Sequence, residues 1–321
     1  MHTEKSFYSI PRSWILGLFA VVPLVLLVWF WDITFNDCGL LPYFGLASLF
    51  LPFYLLIFEM PHIFASFVGF FDKEYATHYR THLMVGIPLL LVGFYLLLQF
   101  DYMTAVAVYL AATMYHVMRQ QTGIALMFDV PKNKWHERWA WSLVCSTAAM
   151  YVVIILPSFF GNVQASYLSA FILATLAIAL VSGGVLAYTT HSRKGVAYIA
   201  LTLLMVITSY TVLWFGYIFL AVFVARFIHD VTAFLFYITH EMNRNNDQVK
   251  NMLYTFIPLL PLSLIVIVPL IAIFSGVLLR ESITSPELVF TFIMLFAFTH
   301  YYLESIMWKC NSPHRKYVKV V

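Results

Sequence analysis

About ten runs of roughly 20 apolar residues fill this chain, each long enough to cross a bilayer as a helix at 1.5 Å rise per residue. The runs cover Ser13–Trp31, Leu40–Phe64, Leu83–Phe100, Tyr102–Gln120, Trp139–Phe160, Val163–His191, Val196–Phe215, Gly216–His240, Met252–Leu279 and Glu287–Trp308. In lipid every backbone donor and acceptor must be satisfied within the protein, so runs of this length read as helices. The second holds Pro42, Pro52 and Pro61, which predicts a kink. The seventh and eighth share no polar linker, which leaves Gly216 as the candidate for the turn between them. The 321 residues are 62% hydrophobic and only 10% charged, against about 25% charged in a soluble domain. The expected fold class is an all-α integral membrane protein. It is a polytopic helical bundle forming a single membrane-embedded domain over residues 1–321.

Charge fixes the orientation. With these runs threaded, all of the 18 Lys and Arg residues except Arg226 and Arg280 fall on one side of the bilayer. Positive residues mark cytosolic loops, so both termini are expected in the cytosol. The outer connections are short, at Asp32–Gly39, Asp101, Gly161–Asn162 and Arg280–Pro286. The expected location is a bacterial inner membrane. The net charge of +3 belongs to cytosolic loops, and no basic stretch alternates with exposed aromatics, which argues against nucleic acid as a partner. Cys38, Cys145 and Cys310 are too scattered for a disulfide framework or a thiolate metal site. Ser13–Trp31 is too long for a signal-peptide core and lacks a small-residue cleavage site, so it reads as a retained helix.

Seven histidines carry the chemical signal: His62, His78, His82, His116, His229, His240 and His300. The threading puts all of them in the cytosolic half of the membrane. Ionisable groups at such depth are costly and by default functional. Four carboxylates accompany them. Glu59 lies three residues before His62, and Glu304 lies four after His300, so each pair shares a helical face. Asp230 and Glu241 directly follow His229 and His240. Imidazole with carboxylate suits iron, manganese or zinc. On one stripe of the eighth run, Arg226 and Asp230 are spaced to pair as ions. His229 and His240 are separated by roughly 16 Å at 1.5 Å per residue, too far to share an ion. His78 and His82 stand at i, i+4 and can reach one ion if their segment is helical.

The plain alternative is that each membrane histidine is an interhelical hydrogen-bonding partner. That accounts for one such residue better than for seven with carboxylates at one depth. His2, His136, His191 and His314 read as solvated or interfacial. Tyr115, Tyr237, Tyr301 and Tyr302 lie beside the cluster, and packing is the first account of them.

Four short segments resemble the Brp/Blh-type β-carotene dioxygenases. Pro61-His62, Tyr115-His116, Ile228-His229-Asp230 and Thr299-His300 with Glu304 match that family's histidine motifs in order. Asp230 stands where the family has Ser, Gly does not follow His62, no His lies three or four residues beyond His229, and the His78/His82 pair is additional. The resemblance implies a membrane oxygenase with iron on His62, His116, His229 and His300, and carotenoid cleavage as its narrowest form.

The reading that follows is a membrane-embedded non-haem iron oxidoreductase with one or two iron ions and dioxygen as co-substrate. His78, His82 and His240 would complete the site or build a second one. Glu59, Asp230, Glu304 and Arg226 would assist from around the imidazoles. A lipid-like or isoprenoid substrate would enter from the bilayer, and a soluble donor on the cytosolic side would supply electrons. The alternatives are a proton-coupled or metal-ion transporter and a haem-binding electron carrier using His116 and His229.

Overall fold

The computed structural model describes residues 8–45, 54, 58–155, 162–255, 286–309 and 311–321. Among the described residues the regular structure is helical. Extended pairing is limited there to two isolated bridges, Ile10 with Val320 and Asp72 with Asn251. Among the described residues six helices are long and apolar enough to cross a membrane: Arg12–Phe35, His82–Phe100, Ser166–Tyr188, Arg193–Trp214, Ile218–Arg244 and Phe290–Met307. They match the first, third, sixth, seventh, eighth and tenth apolar runs. Helices Tyr102–Ala125 and Lys134–Ile155 occupy the fourth and fifth runs and are more polar. The second run falls partly, and the ninth largely, outside the described residues.

Local chemistry sets the helix ends. Asp101 separates two helices with a single residue. Its carboxylate accepts from the Met103 and Thr104 amides, at 3.1 and 3.2 Å, and from the Thr104 hydroxyl at 2.6 Å. This satisfies donors that a helix start otherwise leaves bare. The Thr104 hydroxyl is the main reason that the Asp101 carboxyl sits below the usual carboxylate range. Gly216 makes the turn between Arg193–Trp214 and Ile218–Arg244, with φ at +85°, a conformation that L side chains resist.

The chain divides into two compact units, one of residues 1–11, 52–105 and 230–321, the other of 12–51 and 106–229. In the first, helices Met60–Val68 and Ile87–Phe100 pack on Pro286–Met307. Phe94 meets Phe298 with ring centroids 4.2 Å apart. Leu89, Val92 and Leu96 stay exposed, an apolar face suited to lipid. At the polar end Arg244 joins Asp72 at 2.7 Å and Glu74 at 2.6 Å, and Asn251 reaches the Val68 carbonyl at 2.9 Å. The Arg244 guanidinium, then the Lys250 ammonium, holds the Glu74 carboxyl below its ordinary value.

In the second unit Lys134–Ile155 packs along Asn162–Tyr188. Gly183 makes room for the fully buried Trp139, since a Cβ there would lie 3.1 Å from the indole Cδ1. Buried Asp32 accepts from the Tyr217 hydroxyl and Asn36 amide, both at 2.6 Å, and from the Leu40 amide at 3.0 Å. That network turns the chain through Asp37 and Cys38, whose φ angles are 46° and 59°.

The tightest joint in this unit is Gly195. A Cβ there would sit 2.6 Å from the Phe128 carbonyl oxygen, a backbone atom that cannot rotate away. Gly195→Ala is therefore expected to cost about 1–3 kcal/mol through overpacking. Gly184, where an added methyl would meet nothing within 4 Å, is the control. Ala at Gly184 should gain up to about 1 kcal/mol of helix propensity. Thermal unfolding in one detergent compares the two, and equal midpoints would refute the close-approach argument.

Candidate metal centre

In the first unit the centre starts at two adjoining histidines. Met60–Val68 carries His62 in its first turn, just after Pro61, which suits a helix start. Pro286–Met307 carries His300. Both side chains are buried, and the rings meet edge to face with centroids 4.4 Å apart. Asp230 places Oδ1 3.1 Å from His62 Nδ1, while the Tyr54 hydroxyl donates to its other oxygen. One turn beyond His300, buried Glu304 accepts from the Tyr237 hydroxyl. Glu59, also buried, directly precedes the helix of His62. In the second unit His116, from Tyr102–Ala125, and His229, from Ile218–Arg244, form a similar pair with centroids 4.9 Å apart.

His62 with His300 in the first unit, and His116 with His229 in the second, are thus two pairs of buried imidazoles, and each pair could supply nitrogen donors to a metal.

The other named residues lie elsewhere. His78 ends the short helix Lys73–His78, and its ring stands against Tyr79. His82 opens a π-helical turn, and its Nδ1 is 2.7 Å from the Tyr302 hydroxyl. The backbone between them does not continue as one α-helix, so the regular i, i+4 face that the spacing assumes is interrupted there. His240 binds the Tyr75 hydroxyl through Nε2 and Glu241 through Nδ1, both at 3.0 Å. It is separate from His229, as their spacing along the helix requires. Arg226 is buried on the same helix.

Two expectations are corrected. His136 is buried, with Nε2 3.0 Å from the Thr122 carbonyl, because its helix turns it inward. His314 is also fully buried. It stacks on Tyr75 at 3.9 Å and His240 at 4.8 Å, and its Nδ1 is 3.3 Å from the Tyr79 hydroxyl. Burial chiefly, with the neighbouring His240 and Arg244 charges, lowers the His314 imidazole to about 2. Tyr54, which donates to Asp230 beside His62, is a site residue that patterning missed, as are Tyr75 and His314 in the separate cluster around His240. Tyrosines are too common in membrane segments to stand out, and His314 sits in a charged stretch that reads as solvated.

No protein family, curated protein or solved structure matches this chain.

Proposed function

We propose that this chain is a membrane-embedded non-haem iron oxidoreductase that oxygenates an apolar lipid or isoprenoid substrate. The observation that carries the reading is two pairs of buried imidazoles, His62 with His300 and His116 with His229. Iron held there would supply dioxygen activation at its open coordination positions. Asp230, beside His62 Nδ1, would hold the proton on that nitrogen and turn Nε2 toward the ion. The Tyr54 hydroxyl would fix Asp230 in turn. Glu304, held by Tyr237, is a carboxylate available to take up or return a proton beside His300. In this reading the helices form a ten-span bundle with cytosolic termini in a bacterial inner membrane. The resemblance to carotene dioxygenases makes carotenoid cleavage the narrow form of the proposal.

Haem is the weaker occupant. Axial imidazoles across a porphyrin iron, each bound at about 2 Å, hold their ring centres roughly 6 Å apart. His116 and His229 are closer, at 4.9 Å, which leaves no room for the macrocycle between them.

Protein purified from cells making β-carotene tests the reading directly. About one or two iron ions per chain are expected by elemental analysis, from two pairs of imidazole donors. Loss of carotenoid colour with retinal formation supports the narrow form, whereas an oxidised lipid with carotenoid unchanged retains only the broad one. Active protein without iron overturns both.

A further inference from the structure

Aromatic rings continue from the His62/His300 pair toward the polar end of the first unit. The Tyr237 hydroxyl donates to Glu304, one turn from His300. The Tyr237 ring then stands 5.7 Å from that of Trp308. Tyr237 is buried, whereas Trp308 is partly exposed and follows the last turn of Pro286–Met307. A phenol that only needed to satisfy a buried carboxylate would not need an indole beside it. Tyrosine and tryptophan are the side chains that lose one electron most readily among those that carry no sulfur. Tyrosine loses its proton at the same time, so a hydrogen-bonded carboxylate assists it. Both rings lie in one packed cluster, which keeps them in contact.

We propose that Glu304, Tyr237 and Trp308 form a relay that drains oxidising equivalents from the metal centre to the surface of the first unit. This rests on the redox reading above. Tyr237 gives one electron to the oxidised centre and its phenolic proton to the Glu304 carboxylate. Trp308 supplies an electron to the tyrosyl radical, and Glu304 returns the proton to the phenolate. The indole radical cation left at Trp308 is reduced by a cytosolic thiol. Two such events join two thiols as a disulfide and release two protons. The relay protects the buried histidines when oxidant forms without substrate.

The test uses metal-free full-length protein, so that it does not depend on the metal. A ruthenium polypyridyl photo-oxidant is tethered at Lys309→Cys, beside Trp308, with the native cysteines replaced. After a flash in the presence of a quencher, it takes one electron from Trp308. This runs the exchange between the two rings in reverse, and electron paramagnetic resonance should show the tryptophan signal giving way to a tyrosyl signal; in the protein the outward flow is drawn by the thiol that reduces Trp308. Tyr237→Phe should abolish that tyrosyl signal and leave the tryptophan radical. Glu304→Gln, which keeps the shape but cannot take the proton, should do the same. Trp308→Phe should remove both signals, and Trp308→Tyr should restore a tyrosyl radical. An undiminished tyrosyl signal in Tyr237→Phe overturns the relay, as does a Glu304→Gln variant indistinguishable from the wild type. If Glu304→Gln does not fold, Tyr237→Phe alone decides. Loss of transfer in protein that otherwise binds iron refutes the relay alone, whereas transfer in a protein that never binds iron refutes the metal centre alone.

Discussion

His229→Ala is expected to strip the metal from purified protein, and so are His62→Ala, His116→Ala and His300→Ala. Each removes one imidazole from the two buried pairs, His62 with His300 and His116 with His229. Asp230→Asn is the graded case. It preserves the shape beside His62 Nδ1 but not the charge, and loss of such a supporting carboxylate weakens metal binding about 10–100-fold. The four alanine variants should fall further than that. His82→Ala and His136→Ala should retain the metal, because their rings bind Tyr302 and the Thr122 carbonyl instead. Metal titration of apo-protein measures the whole series. Equal losses at His82 and His229 would show that the grouping of histidines is wrong.

Acidification is expected to release the segment that carries His314. Folded, this imidazole is held neutral at about 2, whereas a free imidazole titrates near 6.5. The docked state therefore binds fewer protons than the released one, and docking is at full strength above about pH 6.5. Below that it weakens by about 1.4 kcal/mol per pH unit, or about 2 kcal/mol by pH 5. The groups packed around the ring are Tyr75, Tyr79 and His240, with the Arg244 and His78 charges also acting on it. A nitroxide on Val321→Cys reads the event as mobility rising between pH 6.5 and 5. His314→Phe, which keeps a stacking ring without a titrating nitrogen, should flatten the profile. An unchanged profile in that variant would assign the transition to another group.

Much of the helical layout was legible because bilayer crossing imposes a length and an apolar run on each span. Gly216 was legible for a related reason, since two apolar runs in direct succession need a turn and only glycine there adopts positive φ at no cost. The four grouped histidines also stood out, since imidazole in apolar sequence has few uses. Patterning could not sort them from His78, His82 and His240. That choice depends on which way a helix is rotated and where it ends, and both are set by packing between distant segments. His314 shows the same limit. Its neighbours Pro313, Arg315 and Lys316 suggest water, yet stacking on Tyr75 and His240 draws the ring inside.

The bridge between Ile10 and Val320 has a consequence for how the chain is made. The Ile10 amide binds the Lys319 carbonyl at 2.8 Å, and the Val321 amide returns to the Ile10 carbonyl at 3.0 Å. Ile10 and Val320 lie 310 positions apart in the sequence. The first unit is built from three separated stretches, so its parts must find one another across long intervals of sequence. Pairings this distant in sequence form slowly. The stretch around Ile10 therefore waits, unpaired, until some 310 further residues have been made.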